Sequence, residues 1–197
     1  GGDEEGAMPP RSRSELALPA CVFLGTLLVR VLAAQHHWLP DDAYITFRYA
    51  AHLAAGHGFV YNPGERVLGT TTPLLTLLLA VLARLGLSPE AGGVALAILA
   101  SALSAAVLVL IVREAGGTRW AAVGAGGLLA LSVLQAQVGV SGMEGPLLVA
   151  LLLGSFWLLQ RRQGAGAAFL GGLAAVTRPE GLVWLGLLLV ALGCQRS

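Results

Sequence analysis

The chain has 197 residues, of which 56% are hydrophobic and 12% are charged, and its formal net charge is +1. Soluble domains carry about 25% charged residues, so this composition excludes an ordinary water-soluble protein. The mean hydropathy of +0.76 indicates helices that are solvated by lipid. The sequence contains no basic stripe, which excludes nucleic acid as an expected partner.

The first segment, 1–15, is polar and contains prolines, and we predict a disordered cytoplasmic tail there. The apolar run that follows, 16–34, resembles a secretory signal. However, no clear small-x-small cleavage site follows it, and further apolar runs come later. We therefore predict that this run is a retained first span and that 16–197 is one transmembrane region.

The remaining apolar runs differ in how well they fit a bilayer, which takes about 20 helical residues to cross. The runs at 94–112 and 121–139 meet that length, and those at 146–160, 165–177 and 181–194 are shorter. The run at 71–87 is ambiguous, because it begins with two threonines and a proline and carries Arg84.

The positive-inside rule resolves the ambiguous run. If 71–87 lies along the membrane surface, the arginines near 11–13, 113–119, 161–162 and 196 all fall on the cytoplasmic side. We therefore predict an all-α, polytopic transmembrane helical bundle in the cell membrane. It has about six spans, a cytoplasmic N-terminus, and interfacial helices within one long external loop, 35–93.

This topology gathers the remaining charged clusters on the outer face: Asp41 with Asp42, Glu144, and Arg178 with Glu180. The acidic pair follows Pro40 at the expected start of a helix. Two adjacent carboxylates can act as a general base or help to hold a divalent metal ion. The alternative is a plain helix N-cap beside a solvated neighbour.

Each of the other candidate residues has both a functional and a structural interpretation. Arg48 can pair with Asp41, Asp42 or a lipid phosphate, or it can extend to the headgroups. Tyr44 fits an aromatic belt at the interface. Glu144 is either a functional-site residue or part of a solvated hairpin between two spans. Arg178 suits a phosphate, or it forms a surface contact with Glu180 at a turn marked by a proline.

Three stretches, 41–67, 141–145 (SGMEG) and 173–181 (LAAVTRPEG), occur in this order. In this combination the chain resembles bacterial GT-C glycosyltransferases, especially arabinofuranosyltransferase-like and mannosyltransferase-like membrane proteins. One departure lies at 68–71, which reads Leu-Gly-Thr-Thr where such proteins often have Glu-Gly-Tyr-Thr. Those proteins are also far longer, so the resemblance implies that 16–197 is the N-terminal part of a GT-C transmembrane domain.

The resemblance implies an inverting sugar transfer from a polyprenyl-phosphate donor to an extracytoplasmic glycan, lipid or protein acceptor. Asp41, with Asp42, would be the catalytic base or orient the acceptor. Arg48 and Arg178 would contact the donor phosphate, and Glu144 would shape the acceptor side, with Tyr44 and Glu180 beside them. The alternatives are a transporter or flippase-like protein, or a non-catalytic scaffold subunit of the cell envelope.

Overall fold

A computed structural model describes residues 13–36, 38–65, 67 and 69–195. Most of the predicted tail, 1–12, lies outside the described residues. All regular secondary structure in the described part is α-helical, as the sequence predicts. The helices are α1 Arg13–Ala34, α2 Asp41–Ala54, α3 Pro73–Arg84, α4 Pro89–Glu114, α5 Arg119–Leu131, α6 Val133–Val138, α7 Gly145–Gln160, α8 Gly164–Thr177 and α9 Glu180–Cys194.

Two segments are long and apolar enough to cross a membrane, Leu16–Ala34 in α1 and Pro89–Glu114, which is α4. Helices α3, α5, α7, α8 and α9 are apolar but shorter. Helix α4 is the centre of the bundle, because α1, α2, α3, α5 and α7 all pack against it. The chain then continues through α7, α8 and α9, each packed on the next.

The run at 121–139, which has the length of one span, is not one continuous helix, because it breaks at Ser132. Its backbone leaves the helical region, with a ψ of 124°, and its hydroxyl accepts a hydrogen bond from the Gln135 amide. A serine side chain competes with the helical backbone for hydrogen bonds and favours the start of a helix. The run therefore forms two elements, α5 and the six-residue α6.

Helix α2 begins where the Pro40 and acidic-pair pattern predicts, but the capping prediction is wrong in detail. Pro40 occupies the N-cap position and no side chain caps the helix, whereas Asp41 and Asp42 lie in the first turn. Carboxylates in the first turn are favoured by the positive end of the helix dipole. Gly56, at a φ of 84°, follows the end of the helix, because a glycine adopts this left-handed conformation without steric cost.

Helix α3, from the run predicted to lie at the interface, packs against α2. Leu75, Leu79 and Ala80 form a buried apolar cluster with Ala43, Phe47 and Ala50. The opposite side of α3 leaves Leu77, Val81 and Leu85 exposed, at four-residue spacing. A short helix with one buried and one exposed apolar side suits a position between the bundle and lipid. Its placement in the membrane remains a prediction.

The segment between α2 and α3 is held by buried polar groups. The Tyr49 hydroxyl donates to the Val67 carbonyl at 2.5 Å and accepts from the Gly69 amide at 2.7 Å. The hydroxyl of Thr46 lies 3.4 Å from that of Thr70 and 3.3 Å from that of Thr72. These bonds satisfy backbone and hydroxyl groups that burial would otherwise leave unpaired.

Phe47 fixes α2 to the rest of the bundle. Its buried ring fills a space between Gly93, in the first turns of α4, and Gly142, in the turn before α7. A Cβ on Gly93 would lie 2.7 Å from Phe47 Cε1 and 3.0 Å from the Gly142 carbonyl oxygen. Gly142 also has a φ of 71°, which disfavours any side chain. Two glycines therefore make room for the one ring.

We expect Gly93→Ala to lower the free energy of unfolding by about 1–3 kcal/mol, because the added methyl overpacks the Phe47 contact. The matched control is Gly127→Ala in α5, where a Cβ would meet nothing within 4 Å. That change should leave stability equal or raise it, since alanine favours helices. Thermal unfolding in detergent measures both, and equal stability of the two variants would contradict this packing.

Candidate functional site

A charged network lies at one end of the bundle, where α7 begins and α8 meets α9. Arg178 Nη1 donates to Glu144 Oε1 at 2.7 Å. The same guanidinium donates to both carboxylate oxygens of Glu180, at 3.2 Å from Nε and 3.0 Å from Nη2. The structure therefore brings together three residues that the predicted topology places on one face. Arg178 makes the contact with Glu180 that the sequence suggested, and it also contacts Glu144.

The local sequence explains how Arg178 reaches Glu144. Helix α8 ends at Thr177, and Arg178 has an extended backbone, with φ −151° and ψ 150°. Pro179 imposes this, because a proline disfavours the helical conformation of the residue before it. Glu144 is the N-cap residue of α7 and is followed by Gly145 and Pro146, so its carboxylate lies near the positive end of that helix.

The two carboxylates differ in burial. The Glu144 side chain is 7% exposed, the Arg178 side chain 39% and the Glu180 side chain 63%. The hydrogen bond with Glu180, followed by the attraction of Glu144, raises the pKa of Arg178 despite its partial burial. Arg178 therefore stays charged, and the network of one cation and two carboxylates carries a net negative charge.

An open cavity of about 840 Å³ adjoins this network. Glu144 and Arg178 line it on one side, and the rest of its wall is mostly apolar and comes from the end of α1, the segment before α2, the α5–α6 break and the turn before α7. Pro40 and Trp38 lie on its wall. A mostly apolar cleft with a few convergent polar groups is the usual form of a ligand site.

The acidic pair lies beside this cavity and does not line it. Asp41 and Asp42 are exposed in the first turn of α2, directly after the cavity residue Pro40. Neither carboxylate makes a hydrogen bond or ion pair with any residue that the structure describes. Tyr44, on the same helix, is 48% exposed, and its ring meets the Phe47 ring edge-on at 5.6 Å.

The ligand set for a metal ion is small. In the described ranges there is no group of three or more His, Cys, Asp or Glu side chains that could hold a metal. Asp41 and Asp42 alone would supply at most two carboxylates. A divalent ion bound there would need most of its ligands from water or substrate, as Mg²⁺ often does.

Arg48 does not pair with Asp41 or Asp42, so that suggested contact is wrong. Its Nε donates to the Tyr61 carbonyl at 2.9 Å and its Nη2 to Asn62 Oδ1 at 2.8 Å. The guanidinium also stacks on the Tyr61 ring, 4.6 Å from the centroid. The turn after α2 thus offers Arg48 a planar ring and two acceptors, and Arg48 anchors that turn.

Sequence reasoning missed Arg30, which the structure buries in α1 with only 1% exposure. Its Nε and Nη1 have no hydrogen-bond partner among the described residues. The available signal was an arginine inside an apolar run of spanning length, because ionisable residues at membrane depth are costly and tend to be functional.

The opposite end of the bundle has a separate ion pair. Arg161 Nε, just after α7, lies 3.8 Å from Glu114 Oε1 at the end of α4. Arg113, in the last turn of α4, and Arg119, the first residue of α5, flank the neighbouring turn. The arginine-flanked turns and the Glu144 network therefore lie at opposite ends, as the predicted charge sorting requires.

Arg178→Met should destabilise the fold by about 2 kcal/mol, because it leaves the Glu144 carboxylate buried without its cation. This is less than is typical of fully buried pairs, since Arg178 is 39% exposed. The control is Glu180→Gln, which removes an exposed charge and should change stability little. Adding Glu144→Gln to Arg178→Met should recover part of the loss. Equal effects of Arg178→Met and Glu180→Gln on thermal unfolding would contradict a special role for Glu144.

Comparison with known proteins gives one informative similarity. No family model matches the chain, and no solved structure gives a significant match. The chain is 33% identical, over 177 aligned residues, to the terminal β-(1→2)-arabinofuranosyltransferase of Mycobacterium tuberculosis. The alignment covers 79% of this chain and 28% of that protein. The similarity confirms the resemblance of this segment to arabinofuranosyltransferases that the sequence motifs indicate, and the chain spans about a quarter of that relative's length.

Proposed function

We propose that this chain is part of a multi-pass membrane glycosyltransferase of the GT-C type. It transfers a sugar from a polyprenyl-phosphate donor to an extracytoplasmic glycan, lipid or protein acceptor, with inversion at the anomeric carbon. The similarity to an arabinofuranosyltransferase is the observation that carries this proposal. The relative's name makes arabinofuranose the first sugar to test.

The arrangement of charges supports the proposal. The exposed acidic pair, the cavity, and the Glu144–Arg178 network lie at one end of the bundle, away from the arginine-flanked turns. Nucleotide sugars are cytoplasmic substrates, so an enzyme whose site faces away from the cytoplasm needs a donor that the membrane delivers. A lipid-linked sugar meets that need.

In the proposed reaction the Asp41 carboxylate takes the proton of an acceptor hydroxyl as general base. The acceptor oxygen forms a bond to the anomeric carbon while the bond from that carbon to the phosphate oxygen breaks. The polyprenyl phosphate leaves with the bonding electron pair. Asp42 and Tyr44 stand beside Asp41 on α2 to orient the acceptor, and Glu144, with Glu180 and Arg178, shapes the opposite wall of the site.

The first alternative is a transporter or a flippase-like protein. Transporters place their charged groups in discontinuous helices near the bilayer midplane. Here the Asp pair and the Glu144 network lie at the end of the bundle, which favours the enzyme. The second alternative is a non-catalytic scaffold subunit, which would not need the acidic pair for its function.

In the full-length gene product, Asp41→Asn should lower the rate of sugar transfer from a polyprenyl-phosphate donor by about 10²–10⁴-fold, because a general base typically contributes that factor. Asp42→Asn should have a smaller effect, and the double variant should be inactive. The matched control is Glu65→Gln, an exposed carboxylate in the same loop. Its rate should equal that of the wild type.

Transfer is measured with radiolabelled donor in membranes, with expression and unfolding temperature checked for each variant. Full activity of the Asp41→Asn, Asp42→Asn double variant would overturn the assignment of the base. Transfer from a sugar nucleotide instead of the lipid-linked donor would overturn the proposed donor class.

A further inference from the structure

We propose that Arg30 is a positioning residue that supplies, from behind the cavity wall, the positive charge for the phosphate group of an anionic lipid. This inference rests on the proposed function, because it assigns the residue that recognises the donor's phosphate. It moves that role from Arg178 and Arg48 to a residue in the first span.

The first observation is that Arg30 has no compensating partner. The side chain is 1% exposed, and two of its guanidinium nitrogens have no hydrogen-bond acceptor within the described part of the chain. A buried cation without a partner is strongly unfavourable. A ligand that brings a negative charge close to it would remove that penalty.

The second observation is the position of Arg30 relative to the cavity. Ala33, one turn further along α1, lines the cavity, and so do Val138 and Val140. Gly139 lies between those two valines, and a Cβ built on it would be 2.6 Å from Arg30 Nε. The guanidinium is therefore directly behind this part of the wall, and only a residue without a side chain separates them.

Ser101, on α4, reaches the same place from the other side. Its hydroxyl oxygen would lie 2.7 Å from the same Cβ at Gly139, and it also has no hydrogen-bond partner among the described residues. The polar groups of α1 and α4 therefore converge behind Gly139 without satisfying each other. Such a cluster is poised for a further polar or charged group.

The third observation is the state of the other arginines near this end. Arg178 is held by two carboxylates, so its network has a net charge of −1 and repels a second anion. Arg48 is held by the Tyr61 carbonyl and the Asn62 side chain. Arg30, by contrast, has two guanidinium nitrogens without a hydrogen-bond partner among the described residues. Its charge offsets the repulsion that the Glu144 network would impose on a phosphate.

The apolar surface beside the cavity indicates that the phosphate carries a hydrocarbon chain. Leu131 and Val133 line the cavity. They continue into an exposed apolar strip at the α5–α6 break, where Leu128, Leu131, Val133 and Leu134 are 69–77% exposed. If the phosphate of a lipid lies near Arg30, its hydrocarbon chain can pack against this strip. The shared chemistry of the ligand is a phosphate, and the lipid is its expected source.

The test uses the full-length gene product in nanodiscs and compares Arg30→Met, Arg30→Lys and the exposed control Arg119→Met. Binding is measured with polyprenyl phosphate incorporated in the nanodiscs and, separately, with inorganic phosphate. Arg30→Met should weaken polyprenyl-phosphate binding by about 10–100-fold, the factor expected for a lost charged interaction. Arg30→Lys should restore most of the affinity, and Arg119→Met should match the wild type.

Thermal unfolding separates a ligand role from a structural one. Because methionine replaces an unpaired buried charge with an apolar side chain, Arg30→Met should be as stable as the wild type or more stable. It should raise KM for the lipid-linked donor with little change in kcat. Weak inorganic phosphate binding with the same dependence on Arg30 would also support the inference, since it isolates recognition of the phosphate.

Unchanged lipid affinity in Arg30→Met would overturn the inference, and so would a loss of affinity that merely follows a loss of stability. These results differ from a failure of the proposed function. If the protein transfers sugar but Arg30→Met binds the lipid with wild-type affinity, only the role of Arg30 is refuted, and the proposed function stands. Arg30-dependent lipid binding without any sugar transfer would refute the enzyme and leave the phosphate site.

Discussion

The contact of Phe47 with Gly93 and Gly142 is the constraint on which the rest of this site depends. It sets where α2 stands on the bundle, and α2 carries Asp41 and Asp42 in its first turn. Gly142 is two residues from Glu144, so the same ring fixes the acidic pair relative to the turn before α7. Burial of one phenylalanine contributes about 1.5–3 kcal/mol, enough to favour one placement of a short helix over others.

Charge compensation gives this end of the bundle its chemical character. Arg178 is committed to Glu144 and Glu180 by hydrogen bonds of 2.7–3.2 Å. It therefore organises the site more than it attracts a ligand. The exposed carboxylates of α2 are free to meet an acceptor hydroxyl, and the buried Arg30 is placed to favour an anion. In the proposed reaction the base and the counter-charge therefore come from different elements, α2 and α1.

Features set by local chemistry were predictable from the sequence. Pro40 marks the start of α2, Gly56 its end, and Pro179 the extended Arg178 that reaches Glu144. The break at Ser132 was not predictable, because one serine in an apolar run changes its mean hydropathy little. Arg30 was overlooked because the run as a whole still has the hydropathy of a span, although an arginine inside such a run is itself a signal.

The partners of Arg48 depend on tertiary structure, and sequence spacing does not reveal them. The Tyr49 hydroxyl and the Thr46 hydroxyl hold Val67, Gly69 and Thr70 against α2. This arrangement brings Tyr61 and Asn62 to Arg48. The pairing is separated by 13–14 residues along the chain, and helix periodicity carries no information about it.

Membrane orientation is the direct test of the whole account, because every proposed role requires the Glu144 end to face outward. Single cysteines at Trp38, on the cavity, and at Ala115, in the turn after α4, would be placed in a background with Cys21 and Cys194 replaced by serine. A membrane-impermeant maleimide should label the Trp38→Cys variant in intact cells and the Ala115→Cys variant only after permeabilisation. Labelling of Ala115→Cys but not Trp38→Cys in intact cells would contradict the account.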